Sequence, residues 1–159
     1  MSADGKVLVL GLGNRLLSDD GVGPHVVDAL RARGLELNAQ VALQDGGTFG
    51  LALLPDIQDA AALIVVDAAM FGGAPGEMRV FEGEAMDAQL AGAKSTVHEV
   101  SLSDLIDAAK FSGTLPERRA LVGIAPQTTE WGLAPTPEIA ATMPAACATI
   151  EKLVERWAS

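Results

Sequence analysis

Asp20, Asp45, Asp67 and His98 are the side chains of this sequence whose types and positions suit holding a metal ion or moving a proton. Asp20 stands in Ser18-Asp19-Asp20-Gly21, shortly after an apolar run. Asp45 follows Val41-Ala42-Leu43, and Asp67 ends Ala62-Leu63-Ile64-Val65-Val66. An aspartate at the end of a strand is ordinarily a helix cap or a turn former. A pair delivered from neighbouring loops is different, because two carboxylates sharing a pocket repel unless a cation or a proton joins them. One imidazole added to Asp20 and Asp67 makes an O/O/N donor set with open coordination positions. Such a set suits a borderline divalent metal such as nickel or zinc. His98 lies in Ser95-Thr96-Val97-His98-Glu99, a polar loop ahead of a helix, where an imidazole remains available as a ligand. Asp45 has two readings besides a plain turn: it orients His98, or it transfers a proton. His25 is assigned a solvated or packing role.

Other chemistries fit less well. Gly11-Leu12-Gly13-Asn14 after a first strand invites a dinucleotide reading, in which backbone amides hold a pyrophosphate. The third glycine of that fingerprint falls at position 16, which is Leu16, and Asp19 and Asp20 stand where phosphate approaches. A tight turn that Gly13 permits is the better account. No Gly-x-Ser-x-Gly turn is present. Cys147 is the only cysteine, which excludes an internal disulfide and a cysteine metal cluster, and it falls in an apolar helical pattern. The net charge of −10 disfavours nucleic acid. Trp131 reads as a cover for the sheet, with a peptide groove as the alternative.

Positioning these residues requires strands that end at one edge. Lys6–Leu10 and Ala62–Val66 are apolar runs of the kind buried on both faces of a sheet, and Ala120–Ile124 is the last such run. The alternation in Glu77–Phe81 predicts an edge or antiparallel strand. Pro24 and Gly34 bracket a helix at about 23–33. Residues 49–59 predict a short helix bent at Pro55. Ser101 opens a capping-box-like start for a helix with Leu102, Leu105, Ile106 and Ala109 on one face. Thr136-Pro137-Glu138 opens a long helix with a stripe of Ile139, Met143, Cys147, Ile150, Leu153, Val154 and Trp157, bent at Pro144.

Strand–helix alternation argues for an α/β fold: a single domain over residues 1–159, built as a three-layer sandwich around a twisted, mostly parallel sheet. Seventeen glycines and six Phe and Trp residues indicate a core of Ala, Val, Leu and Ile. No apolar stretch approaches a membrane span, and the N-terminus lacks the pattern of a signal peptide, so the expected compartment is the cytosol, without membrane insertion. In such sheets sites form beyond the carboxyl ends of the strands. Asp19 and Asp20, Asp45 and Asp67 are all expected there, with His98 able to reach the same edge.

Taken in order, several segments resemble one family. Gly11-Leu-Gly13-Asn14-Arg-Leu-Leu-Ser-Asp19-Asp20-Gly21-Val-Gly23 is similar to the N-terminal signature of the hydrogenase maturation endopeptidases. Asp45-Gly-Gly-Thr48-x-Gly50, Val66-Asp67-Ala68, Pro75-Gly76, Ser95…His98-Glu99 and Gly123-Ile-Ala-Pro126 follow in that family's order. The resemblance spans roughly residues 6–157 and implies five strands between helices. It implies removal of a C-terminal extension from a nickel–iron hydrogenase large-subunit precursor after nickel insertion. It further implies that Asp20, Asp67 and His98 contact nickel carried by that precursor; the mechanism expected on that basis has Asp45, or one of the ligands, assist proton transfer. Many members carry Glu where this chain has Asp20. A monomer is expected. The rival readings are a non-catalytic nickel chaperone and a nucleotide-binding module.

Overall fold

The structure, a computed structural model, describes residues 4–47, 50–92 and 101–158. Strand β1 (Val7–Leu12) leads through a 3-10 turn at Ser18–Gly21 into α1 (Val22–Ala32), followed by β2 (Val41–Gly47). Helix α2 (Leu54–Asp59), β3 (Ala62–Ala68), β4 (Met78–Glu82) and α3 (Glu84–Gly92) come next. Helix α4 (Leu102–Phe111), β5 (Arg119–Ile124) and α5 (Pro137–Trp157) complete the order. The five strands form one sheet in the order β2-β1-β3-β5-β4. Every pairing is parallel except that of edge strand β4 with β5.

Period-two alternation divides the central strands between two cores. Val7, Val9, Ile64, Val66 and Val122 pack with α1 and α5, where Val27, Ile139, Cys147 and Ile150 are buried. Leu8, Leu10, Leu63, Val65 and Leu121 face the other way, onto Ile57, Met86, Leu105 and Ile106. Strands covered on both faces bury every second residue in each direction, which is why they read as unbroken apolar runs. The α/β sandwich expected from the sequence is therefore present, with Cys147 in its core.

Local chemistry sets several element ends. The Ser101 side chain accepts the Asp104 N–H at 3.2 Å, and the Asp104 carboxylate accepts the Ser101 N–H at 3.0 Å, closing the capping box of α4. Gly34 ends the first helix in the left-handed conformation, as a C-terminal glycine should. Pro55 lies in the first turn of α2, where its missing N–H goes unneeded, so it starts that helix rather than bending it. Helix α5 runs on through Pro144. Thr136 occupies the N-cap position of α5 without capping it, because its hydroxyl turns to Asp19. Trp131 is 80% exposed and does not cover the sheet.

Helix α1 approaches the strand ends without intervening side chains. A Cβ on Gly23 would run into the main-chain oxygens of Leu12 and Val66, and one on Gly11 would meet the carbonyl of Gly23. This backbone-on-backbone contact lowers the start of α1 onto the ends of β1 and β3, holding the 18–21 turn over the carboxyl edge. Gly23→Ala is expected to cost about 3 kcal/mol, since main chain rather than a movable side chain must give way. Urea unfolding should show a lower midpoint with an unchanged slope.

Candidate active site

The carboxyl edge gathers the acids. Gly11 of β1 lies level with Asp45 of β2 and with Val66 of β3, so Asp67 stands one residue beyond that level. Asp45 and Asp67 lie within the last residues of their strands rather than just after them. Asp20 arrives from the 3-10 turn. Its carboxylate accepts the N–H of Asn14 at 2.9 Å, which folds the 14–20 segment back on itself. Gly13 has φ +128°, and a Cβ there would overlap the Asp20 carbonyl. In this turn a backbone amide that a dinucleotide site would offer to phosphate is taken by the protein's own carboxylate. That geometry argues against the nucleotide-binding reading.

Asp67 is the electrostatically unusual residue. Burial is the largest influence on its carboxyl and the neighbouring charge of Asp20 the second, and together they push its pKa well above the ordinary carboxyl range. The Ala68 N–H opposes them weakly. Asp20 and Asp67 thus share a field, as a pair of acids awaiting a cation or a proton does.

Asp45 is held differently. Its Oδ2 accepts Arg15 Nη2 at 2.8 Å and Arg15 Nε at 3.1 Å, while its Oδ1 accepts the Gly47 N–H at 2.8 Å. Arg15 also grips Asp28 of α1 at 2.6 and 3.2 Å, so one guanidinium ties the end of β2 to the helix. His25 lies beside this cluster. Its buried Nε2 has no partner among the described residues, and burial, then the Arg15 charge, lower its pKa. That fits its packing assignment.

Asp19 is the residue whose role the sequence hid. It is fully buried and points away from Asp20 into the 126–136 loop. Its carboxylate accepts the N–H groups of Gln127 at 2.9 Å, Thr128 at 3.1 Å and Thr136 at 2.7 Å, and the Thr136 hydroxyl as well. Burial alone would raise its pKa, but these donors prevail and hold it below the usual carboxylate value. Ser18 adds a second tie: its hydroxyl donates to the Glu130 carbonyl at 2.8 Å, and its own backbone sits at φ +51°. A left-handed serine next to paired acids is strain of the kind found at functional sites.

His98 lies outside the described residues, so the proposed triad is represented by Asp20 and Asp67. Among the described residues no three His, Cys, Asp or Glu side chains group closely enough to hold a metal ion. His98 is the third donor expected from the sequence.

Asp20 and Asp67 are thus a coupled pair of acids at the carboxyl edge of an open, doubly covered sheet. Residues 24–153 match the hydrogenase maturation protease family model. Hydrogenase 2 maturation protease of Escherichia coli is 38% identical over 136 residues, covering 84% of this chain and 82% of that protein. Hydrogenase expression/formation protein HupD of Rhizobium leguminosarum is 35% identical over 153 residues, covering 96% and 75%. The structure of the E. coli hydrogenase maturating endopeptidase HybD superposes with a TM-score of 0.85 at 32% identity, covering 95% and 93% of the two chains. The chain belongs to the hydrogenase maturation protease family, and its fold is that of the family's endopeptidases. The family resemblance read from the motifs is thereby borne out. No helix among the described residues is long and apolar enough to cross a membrane.

Proposed function

We propose that this protein removes a C-terminal extension from a nickel–iron hydrogenase large-subunit precursor once nickel has been inserted, with Asp20, Asp67 and His98 recognising the precursor's nickel. The observation that carries this reading is the coupling of Asp20 to Asp67 at the strand ends. A carboxyl held above its normal pKa by burial and a second acid keeps its proton until an arriving divalent ion offsets the charge penalty and displaces it. The acids then hold the scissile bond beside the precursor's metal, which would polarise a water for attack on the carbonyl, while one of the ligand carboxylates takes the water's proton and returns it to the leaving amine. Asp45 has Arg15 on one oxygen and Gly47 on the other, which favours an orienting role for it over direct proton transfer.

Purified protein incubated with nickel-loaded precursor is expected to shorten each precursor chain once, seen as a gel shift. His98→Ala is expected to reduce that rate about a thousandfold. Undiminished cleavage by the variant removes His98 from the site. Nickel binding without any shortening of the precursor returns the reading to a metallochaperone.

A further inference from the structure

The large apolar side chains left in solvent are unevenly placed. Leu16 follows β1, Leu51 follows β2, Met70 follows β3, and Trp131 and Leu133 follow β5, so all five border the carboxyl edge that holds Asp20 and Asp67. Only Leu37 and Phe111, among the described residues of this kind, lie toward the opposite edge. A scattered leucine needs no explanation, but five large apolar side chains exposed along one edge do.

The loop that carries Trp131 and Leu133 is fastened down. Leu17 and Gly132 form a parallel bridge, with the Ser18 N–H donating to the Gly132 carbonyl at 2.9 Å and the Gly132 N–H to the Leu16 carbonyl at 2.9 Å. A Cβ on Gly132 would strike the Ser18 hydroxyl, so the two segments touch closely at that point. The buried Asp19 clasp anchors the same loop at both of its ends, through Gln127 and Thr128 and through Thr136. Trp131 remains 80% exposed and Leu133 77% exposed on this framework. Hydrogen bonds that fix a loop while leaving its tryptophan and leucine in water preorganise a contact surface.

We infer that Leu16, Trp131 and Leu133 form a docking platform for the substrate protein, receiving an apolar segment of the precursor close to the scissile bond. The inference rests on the proteolytic reading above and deepens it by assigning affinity and chemistry to different residues. The occupant follows from continuity with the paired acids. Leu16 and Asp20 belong to one folded-back segment, so a polypeptide lying across the paired acids passes Leu16 and the loop bridged to it. Tryptophan is among the residues most enriched at protein-binding hot spots, and Leu16 and Leu133 extend the apolar surface around Trp131. The acids then act on a bond that the platform has already brought within reach.

Cleavage of nickel-loaded precursor with the protease in excess separates these contributions, because the half-saturating protease concentration reports docking and the limiting rate reports chemistry. Trp131→Ala combined with Leu133→Ala is expected to raise the half-saturating concentration about tenfold while preserving the limiting rate and the Tm. Leu37→Ala, removing an equally exposed leucine at the far edge, is expected to change neither. Half-saturation unchanged in the double variant overturns the platform while the protease reading stands. A wild-type dimer that the double variant dissociates, with unaltered kinetics, assigns the patch to a second copy and overturns the inference as well. Failure of the wild-type protein to cleave any precursor overturns the underlying activity instead.

Discussion

Asp67→Asn is expected to abolish precursor cleavage and at the same time to yield a more stable protein. The two effects have one cause. Burial and the Asp20 charge hold the Asp67 carboxyl well above its ordinary pKa, so the folded protein bears a cost for this group that the unfolded chain does not. Asparagine keeps the shape and removes the charge. The gain should be about 1 kcal/mol near neutral pH, with cleavage falling about a thousandfold. Its pH dependence has a definite sign. The unfolded chain releases this proton near pH ~4 while the folded chain retains it, so stability falls as pH rises from there to the folded pKa. The variant has no such proton, and its Tm advantage should be small at about pH 4 and widen toward neutrality. Differential scanning calorimetry across that range reads the effect directly. A variant that is less stable at every pH would mean that Asp67 is a structural cap, and the paired-acid site would lose its electrostatic basis.

The stored cost at Asp67 also explains which parts of the molecule could be read from the sequence. Strands β1, β3 and β5 are buried on both faces, and their unbroken apolar runs carry that information locally. Asp67 in β3, Asp45 in β2 and Asp20 beyond β1 were legible as neighbours because, once the strands are parallel, their carboxyl ends must share an edge. Helix α3 was not. Glu84–Gly92 buries only Met86 fully, so no apolar stripe marks it, and its place against β4 and α4 comes from tertiary packing. Nor was the Arg15 bridge to Asp45 legible, since its partners lie thirty residues apart and meet only after β2 has aligned beside β1. The adjacent acids at 19 and 20 are the sharpest case. Their letters are the same, yet the left-handed Ser18 and the following 3-10 turn send one carboxylate into the protein and leave the other beside Asp67. A one-residue difference in direction, set by backbone conformation, separates a structural clasp from a carboxylate that acts on Asp67.

That separation makes Asp19 the second position with a large expected effect, of the opposite kind. Asp19→Ala should destabilise the fold by about 4 kcal/mol, because it strands three backbone N–H groups and a hydroxyl that converge on one buried carboxylate. Asp19→Asn retains the volume but turns an amide donor toward groups that are themselves donors, and about 2 kcal/mol should be lost. Here the folded pKa is depressed, so the clasp contributes in full above the unfolded carboxyl value and fades as pH falls through the folded one. The wild-type protein should therefore lose stability on the acid side more steeply than the Asp19→Asn variant, measured by denaturant unfolding at a series of pH values. The clasp also holds the loop bearing Trp131 and is joined directly to Asp20, so cleavage should weaken in the asparagine variant well below its unfolding temperature. Parallel acid limbs for the two proteins would show that the carboxylate is not charged in its cradle. The 126–136 loop would then owe its position to the Ser18 and Gly132 contacts alone.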